Sequence, residues 1–178
     1  MIKKRELKYM GFFDKLFGKQ EEKIEIAAPV AGEAVPVTEV NDPTFSEEIL
    51  GKGIAIRPTG NEVVAPCDGT IEMMFDTGHA VSLTSSQGAE VLIHIGLETV
   101  SLKGKHYTTH AANGDQVKKG QLLISFDRDA IAADGYDTIT PIVICNSDSF
   151  AQVECHTGAV KAGDTVLTLS KKSEAKRS

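Results

Sequence analysis

Short apolar runs alternate with turn-forming residues along most of the chain. From Ile24 onward, runs rich in Val, Ile and Thr are separated by Gly, Pro or Asp at intervals of roughly 8–12 residues. Examples are GIAIRPTG, AEVLIHIG, QLLISF and TVLTLS. Long helical patterns are missing from this region, whose one helical candidate is the short segment Arg128–Ala133. The pattern predicts an all-β protein, an antiparallel sandwich or barrel with only short helices.

Two stretches of the chain each occur twice in similar form. Ala28–Val37 resembles Ala65–Met74, and both begin with Ala-Pro, two further residues and Gly. Gly114–Phe126 resembles Gly158–Ser170, and in both a Val-Lys turn with a nearby Gly precedes an apolar strand. Two copies of an early motif and two of a late one predict a duplicated sheet motif that closes the sandwich.

The pattern divides the chain into three parts. Residues 1–23 have no core of their own and are predicted to be a flexible, basic and amphipathic segment. Residues 24–170 form the β domain, and residues 171–178 form a charged tail.

Within the first part, residues 11–19 carry large apolar side chains at helical spacing, namely Phe12, Phe13, Leu16 and Phe17. Residues 1–19 contain six basic and two acidic residues, which gives a net charge of +4. A helix this short is marginal in water. We therefore expect residues 1–19 to be disordered in solution and to fold on an anionic membrane surface as an amphipathic helix, with the contact made through residues 11–19.

Charge and cysteine content restrict the partners and the compartment. The net charge is −6, and with +4 in residues 1–19 the rest of the chain carries −10. An acidic body argues against a nucleic-acid partner. No signal peptide and no apolar run of about 20 residues is visible. The three cysteines form no CxxC pair, so we expect reduced, buried thiols and a cytoplasmic location: Cys67, Cys145 and Cys155.

Histidine is the best candidate for chemistry near neutral pH, and the chain has five. His106, His110 and His156 lie in polar loop or turn segments and are expected to be solvated. His79 and His94 instead lie in strand patterns, on either side of the turn-forming segment TSSQG.

A hairpin with its turn centred between Ser86 and Gln87 places His79 directly opposite His94. Directly opposed residues share one face of the sheet. This register puts Val81, Leu83 and Leu92 on the histidine face, and Ala80, Val91 and Ile93 on the core face. A slip of one residue breaks the arrangement, so it depends on the turn assignment.

Two facing imidazoles are compatible with three interpretations. One could attack a phosphorus atom while the other donates a hydrogen bond to the phosphoryl oxygens. They could share a metal ion, usually zinc. They could also be packed and hydrogen-bonded without any chemical role. The pattern alone does not choose among the three.

Three motifs carry a resemblance to a known family: GIAIRPTGNEVVAPCDGTI at 53–71, TGHA at 77–80 and EVLIHIGLETV at 90–100. They strongly resemble enzyme IIA of the glucose family, a component of the bacterial phosphoenolpyruvate-dependent sugar phosphotransferase system. The resemblance covers about 24–170, and MGFFDKLFGK is similar to the family's amino-terminal segment. It implies a β-sandwich built from a duplicated hybrid motif.

The resemblance implies a phosphoryl carrier of the transferase class without metabolic turnover of its own. The donor would be the phosphorylated phosphocarrier HPr, and the acceptor would be the IIB domain of a sugar permease. Regulatory binding to further target proteins, switched by phosphorylation, is an alternative that can coexist with transport.

Site residues follow from the resemblance one by one. His94 would be the phosphorylated nucleophile and His79 the group that stabilises the phosphoryl. Thr77 would orient His79, and the Gly96 carbonyl would fix the His94 tautomer. An apolar rim that docks partner proteins would consist of Phe45, Leu50, Phe75, Leu92 and Val100.

The sequence departs from the family pattern at three places near these motifs. Glu98 stands where Asp is common, and Leu92 and Val81 stand where some members carry Phe. KGKHY at 103–107 replaces a Gly-Glu-Gly-Phe type of stretch. None of these changes removes a chemical group from the implied mechanism, although the preference among partners can differ.

A zinc peptidase of the lysostaphin type, which has a related β fold, is the rival hypothesis. Such enzymes need an H-x-H motif and a third ligand, and the residues four positions after the two histidines are Leu83 and Glu98. A complete three-ligand site is therefore disfavoured. No cofactor is expected to be required, and His79 with His94 is expected to bind zinc only weakly unless a partner supplies a further carboxylate.

Overall fold

The computed structural model describes residues 22–172, which contain fourteen strands and two short α-helices. The strands are β1 (Lys23–Ala27), β2 (Gly32–Pro36), β3 (Lys52–Pro58), β4 (Glu62–Val64), β5 (Gly69–Met74), β6 (Ala80–Ser85), β7 (Glu90–His94), β8 (Tyr107–Thr109), β9 (Gln116–Val117), β10 (Leu122–Phe126), β11 (Thr140–Ile144), β12 (Phe150–Cys155), β13 (Gly158–Val160) and β14 (Thr165–Lys171). The helices are α1 (Pro43–Ser46) and α2 (Arg128–Ala133). Single 3-10 turns span Val37–Glu39, Thr99–Leu102 and Ser147–Ser149.

All strand pairs in this part of the chain are antiparallel, and the sheets have a two-fold pattern. The large sheet has the order β13-β2-β3-β11-β7-β6-β5-β9, and two three-stranded sheets have the orders β1-β14-β12 and β4-β10-β8. Exchanging β11 with β7, β3 with β6, β2 with β5 and β13 with β9 maps the large sheet onto itself. The corresponding exchange of β1 with β4, β14 with β10 and β12 with β8 maps one small sheet onto the other.

The topology therefore confirms the predicted duplication. The repeated early motif leads into β2 in one copy and β5 in the other, and the repeated late motif ends in β10 and β14. One half is continuous, from β4 to β10, and it is inserted between β3 and β11 of the other half. The all-β fold with only short helices is confirmed as well.

Apolar side chains are buried on both faces of the large sheet. The main core fills the space between the sheets with Ile, Val and Leu, including Ile54, Ile93 and Ile142, which are fully buried. Because side chains alternate along a strand, Ala55 and Val143 point to the opposite face. There they join a second cluster with Phe45 and Leu97. This second cluster holds α1 against the sheet and so fixes the position of Phe45.

Both α-helices start at an aspartate that caps the first turn. Asp127 accepts a hydrogen bond from the Ala130 N–H at 3.0 Å, and α2 has the bounds that the sequence predicted. Asp42 accepts one from the Thr44 N–H at 3.0 Å, and α1 begins with Pro43. The Asp-Pro pair is a helix-start signal that the sequence analysis overlooked. Among residues 22–172, no helix combines the length and the apolar character needed to cross a membrane.

The predicted register of the histidine hairpin was wrong by one residue. The residue opposite His94 is Ala80, and Val81 pairs with Ile93. The turn is a three-residue loop, Ser86–Gly88, because the Ser85 N–H donates to the Ala89 carbonyl at 2.7 Å. Gly88 has φ 98°, the left-handed conformation that such loops place at their last position.

The corrected register changes which side chains share a face. Val81 and Leu83 lie on the core face with Val91 and Ile93 and are fully buried, whereas the sequence analysis placed them beside the histidines. Ala80, assigned to the core face, instead shares the His94 face with Leu92. Val91 and Ile93 on the core face were predicted correctly.

Other expectations have mixed outcomes. Cys67 is buried as predicted. Burial, and to a smaller extent the negative charge of Asp68, raises the pKa of its thiol to about 11. Cys145 and Cys155 are exposed, so their predicted burial was wrong. The predicted membrane helix at 11–19 lies outside the described residues. Of the predicted tail 171–178, only Lys171, which ends β14, and Lys172 are described.

Candidate active site

The two histidine rings lie side by side where β7 ends and β6 begins, two neighbouring inner strands of the large sheet. Their centroids are 5.1 Å apart, and the ring planes are inclined at 81°. His94 is the last residue of β7, and His79 directly precedes β6. The Ile95 N–H donates to the His79 carbonyl at 2.7 Å, which keeps the two chain segments together beyond the regular ladder. Because His79 lies in a turn, strand alternation does not set its direction, and the rings meet in spite of the register error.

The hydrogen bond of His94 fixes its tautomer. Its Nδ1 lies 2.7 Å from the Gly96 carbonyl, which can only accept, so Nδ1 carries the proton and Nε2 keeps its lone pair. Gly96 has φ 84°, and a Cβ there would lie 2.6 Å from Thr99 Cγ2 and 2.9 Å from the Asp137 carbonyl oxygen. The close packing requires glycine at the residue whose carbonyl holds the ring.

His79 is held by a hydrogen bond between its Nδ1 and Thr77 Oγ1. The sequence analysis placed His79 on the face of the hairpin that points away from the core, but its side chain is buried, with 4% of the residue exposed. The reason is that the turn before β6 folds the ring inward against Phe75, whose ring centroid lies 5.3 Å away.

Both imidazoles are held in the neutral form. Burial, and then the neighbouring His94, lower the pKa of His79 to about 4. Burial also lowers the pKa of His94, while the Gly96 carbonyl and the carboxylate of Asp42 oppose that effect. A neutral imidazole with a free Nε2 is a nucleophile, and the groups that oppose its desolvation are those that would stabilise positive charge on the ring.

The five predicted rim residues lie at different distances from the histidines. Phe45 is buried with its ring centroid 5.3 Å from that of His94, and Leu92 is half-buried on the same face of β7. Phe75 is also half-buried, and Val100 is 53% exposed.

Leu50 is more remote. It is 39% exposed and precedes Gly51, the residue that lies next to Ile144. Because β11 lies between β3 and β7 in the large sheet, Leu50 is not on a strand adjacent to the one that carries His94. Leu50 belongs to the wider face around the site and not to its edge.

The sequence analysis missed several residues of this region. Ile49 is 67% exposed and Met73 is 49% exposed, and both extend the apolar surface. A register shift between Ile71 and Met73 turns Met73 outward, and simple alternation could not have found it. Asp42 acts on the charge of His94, and its pairing with Pro43 was the available signal.

Tyr107 and Thr99 were also missed. The hydroxyls of both donate to the Ile95 carbonyl, at 2.9 Å and 2.7 Å respectively. Tyr107 comes from β8, and no local pattern linked it to the histidine hairpin.

Metal ligation would be incomplete at this site. Within residues 22–172, no group of three or more His, Cys, Asp or Glu side chains is placed to hold a metal ion. The two imidazoles thus supply at most half of a tetrahedral zinc shell from this part of the chain.

Comparison with known proteins gives a consistent result. Residues 24–150 match the family described as phosphoenolpyruvate-dependent sugar phosphotransferase system, EIIA 1. The chain is 44% identical to the PTS system glucose-specific EIIA component of Haemophilus influenzae over 166 residues, covering 92% of this chain and all of that protein. A PTS system beta-glucoside-specific EIIBCA component of Dickeya chrysanthemi is 51% identical over 127 residues, which are 71% of this chain and 20% of that protein.

A solved structure shares both fold and sequence. The glucose permease IIA of Mycoplasma capricolum superposes with a TM-score of 0.76 at 31% identity, covering 83% of this chain and 96% of that one. The resemblance found in the sequence motifs is thereby confirmed. The chain belongs to the EIIA 1 family of the phosphoenolpyruvate-dependent sugar phosphotransferase system, whose glucose-type EIIA components are phosphocarrier proteins of the transferase class.

Proposed function

We propose that His94 Nε2 accepts a phosphoryl group from phosphorylated HPr and passes it to the IIB domain of a sugar permease. The observation that carries this proposal is the hydrogen bond from His94 Nδ1 to the Gly96 carbonyl, next to a second neutral imidazole. It leaves one nucleophilic ring nitrogen, His94 Nε2, at the surface of an acidic protein.

The transfer exchanges one P–N bond for another. The lone pair of His94 Nε2 attacks phosphorus, the bond from phosphorus to the donor imidazole breaks, and that imidazole keeps the electron pair. Nδ1 retains its proton, so the ring gains positive charge as the bond forms. The Gly96 carbonyl and Asp42, the two groups that raise the pKa of His94, stabilise this charge. In transfer to IIB, a nucleophile of IIB attacks phosphorus, the P–N bond to His94 breaks, and His94 Nε2 keeps the electron pair.

His79 acts on the phosphoryl oxygens. If the Thr77 hydroxyl donates to His79 Nδ1, the tautomer of His79 carries its proton on Nε2, where it can donate to an equatorial oxygen. Burial keeps this donor in place before the partner arrives, and preorganisation of this kind supplies much of the catalysis in phosphoryl transfer.

The apolar surface around the rings serves docking. Phe45, Phe75 and Leu92 lie closest to the histidines, and Leu50 and Val100 are exposed farther out. An apolar contact excludes water from the phosphoryl group during transfer. After the partner leaves, His94 is open for the next one.

The choice of IIB as acceptor is supported by the names of two relatives. The proteins of Dickeya chrysanthemi and Bacillus subtilis are named beta-glucoside-specific EIIBCA components, so the name joins the B, C and A parts.

Three free thiols agree with a reducing, cytoplasmic location. Regulatory binding that depends on the phosphorylation of His94 is part of the same proposal.

Phosphate incorporation tests the proposal. The protein is incubated with phosphoenolpyruvate, enzyme I and HPr and analysed by intact mass spectrometry. We expect one acid-labile phosphate, mapped to His94 by peptide analysis under alkaline conditions. No incorporation in the presence of active enzyme I and HPr, or label on another residue, contradicts the proposal.

Two weaker associations belong to the proposed function. Zinc would bind His79 and His94 weakly, with a carboxylate from a partner completing the shell. A tight one-to-one zinc site in titration calorimetry of the isolated protein would refute this. Residues 11–19 would bind anionic membrane, and equal co-sedimentation of the full chain and a chain starting at Lys23 with anionic vesicles would refute that.

A further inference from the structure

Tyr107 links the candidate active site to a different sheet. It is the first residue of β8, in the small sheet of the β4–β10 half, and its side chain reaches back to the histidine hairpin. Its hydroxyl donates to the Ile95 carbonyl at 2.9 Å. Ile95 lies between His94 and Gly96, and its peptide carbonyl is therefore part of the link between the nucleophile and the group that fixes its tautomer.

The peptide between Ile95 and Gly96 is held at both ends. Its carbonyl accepts from Tyr107 and from Thr99, and its N–H donates to the Ile139 carbonyl at 3.1 Å. The following peptide is held by the Leu97 N–H, which donates to the Asp137 carbonyl at 2.9 Å. With two successive peptide planes fixed, the Gly96 carbonyl, which belongs to the second plane, has little freedom to turn away from His94.

Tyr107 also packs against the turn that carries the other histidine. A Cβ on Gly78 would lie 2.9 Å from Tyr107 Cβ and 3.7 Å from Cγ, so the side chain covers Gly78 closely. Thr77 and His79 are the two neighbours of Gly78 in the chain. One side chain thus contacts both chain segments that carry the imidazoles.

We propose that Tyr107 is a positioning residue for phosphoryl transfer, which holds the Gly96 carbonyl on His94 Nδ1 through its hydroxyl and holds the Thr77–His79 turn through its ring. The inference rests on the proposed function, because it assigns the residue a purpose only if His94 reacts. Burial raises the pKa of Tyr107 to about 12, while the nearby Thr99 hydroxyl opposes the shift, so the Tyr107 hydroxyl remains a donor over the whole physiological range.

Tyr107→Phe separates the two contacts, because it keeps the ring and removes the donor. The first measurement is the pair of ¹⁵N chemical shifts of the His94 ring in the unphosphorylated protein, which report the tautomer. The second is the rate of phosphate uptake from phosphorylated HPr. We expect the His94 shifts to move toward a mixture of tautomers and uptake to slow about 3- to 10-fold, the effect of one neutral hydrogen bond.

Tyr136→Phe is the matched control, since it removes the same hydroxyl from the other tyrosine of residues 22–172 and leaves the Ile95 carbonyl untouched. Its shifts and uptake rate should equal those of the wild type. Wild-type shifts in Tyr107→Phe overturn the inference, even if uptake is slower, because the loss would then arise in docking. Equal movement of the shifts in both variants overturns it as well.

The shift measurement keeps this inference distinguishable from the proposed function. It needs no partner and no phosphate, so it reports on Tyr107 even if HPr is not the donor. Failure of the wild type to accept phosphate would instead refute the proposed function.

Discussion

The two halves of the sheet framework place different residues at matching positions. In the β4–β10 half, β7 ends with His94, which pairs with Ala80, the first residue of β6. His79 directly precedes Ala80, in the turn before β6. In the other half, Ile54 pairs with Ile142 as Val81 pairs with Ile93, so Val143 is the residue that matches His94. The β3 positions that correspond to Ala80 and His79 are then Gly53 and Lys52.

The difference shows that the chemistry is an addition at strand ends and does not belong to the repeated framework. The residues that face the core are interchangeable aliphatics in both halves, because both must fill the same interior. On the opposite face of the sheet the halves differ, because one carries imidazoles and the other carries Val143, which is buried in the second cluster, and Lys52. Gly96, whose N–H donates to the Ile139 carbonyl, corresponds to Cys145, whose N–H donates to the Glu90 carbonyl at 2.8 Å.

Exchanging the residues at the matching positions should have the largest effect. His94→Gln is expected to take up no phosphate, because an amide nitrogen has no lone pair available for attack. Cys145→Ser should take up phosphate at the wild-type rate. Val143→His in the His94→Gln background should not restore uptake, since Val143 has no second imidazole beside it and lies inside the apolar cluster with Phe45. Intact mass spectrometry measures all three, and restored uptake would show that an imidazole at the matching position suffices.

The second histidine is expected to affect transfer more than uptake. His79→Gln should still be phosphorylated by HPr, because His94 retains its free Nε2. Transfer to IIB should be about 10²–10³ times slower, because the phosphoryl oxygens lose a preorganised donor that could carry charge. Rapid-quench measurement of the transfer step tests this, with His110→Gln as the control. His110 is bonded to Ser125 Oγ on the outside of the protein, and its loss should change neither step.

The sequence was sufficient for the fold and for the choice of the two histidines that the structure brings together. Alternating apolar runs and the repeated motifs led to the all-β class and to the duplication, because strand alternation and turn residues are local signals. The motifs around His79 and His94 identified the pair, and the structure brings the two rings within 5.1 Å of each other. Roles assigned to Thr77 and Gly96 have matching hydrogen bonds in the structure.

The errors arose where non-local geometry decides. The register depended on whether the hairpin turn had two residues or three, and Gly88 in the left-handed conformation settled it. Burial of His79 follows from the turn before β6, and the outward direction of Met73 follows from a bulge. Tyr107, in the KGKHY stretch that departs from the family pattern, reaches the site from another sheet, which no spacing along the chain reveals.

The low pKa of His79 should make the stability of its half sensitive to acid. The pKa of His79 is about 4 in the folded protein against an ordinary value of 6.5, so the unfolded chain binds the proton more tightly. Stability is therefore fully present above pH 6.5 and is lost as the pH falls from 6.5 toward 4, by about 3 kcal/mol at the limit. Burial lowers the pKa of His94 as well, which acts in the same direction.

Urea unfolding at pH 7 and pH 4.5 measures this loss, and His79→Gln should reduce the difference between the two values. The control is His156→Gln, which alters a histidine bonded to Thr168 in the other half. An equal pH dependence in the wild type and in His79→Gln would show that other groups cause the loss.

Gly96 offers the finest test, because it separates strain in the backbone from contact at the site. Gly96→Ala forces a side chain to φ 84° and into Thr99 and the Asp137 carbonyl, whereas Gly88→Ala, at φ 98°, meets nothing within 4 Å. The free energy of unfolding of Gly88→Ala should therefore fall only by the cost of a side chain in left-handed backbone, about 1–2 kcal/mol in urea unfolding. In Gly96→Ala it should fall by about 2–4 kcal/mol, since the displaced loop adds strain to the same cost.

The two variants should also differ in function. In Gly96→Ala the displaced carbonyl leaves His94 Nδ1 without its acceptor, so the ring loses its fixed tautomer and phosphate uptake slows, by about 3- to 10-fold for one hydrogen bond. In Gly88→Ala the turn is more than one strand length from the rings, and uptake should stay at the wild-type rate. Equal uptake in both variants, with only Gly96→Ala destabilised, would mean that the Gly96 carbonyl supports the loop and not the nucleophile.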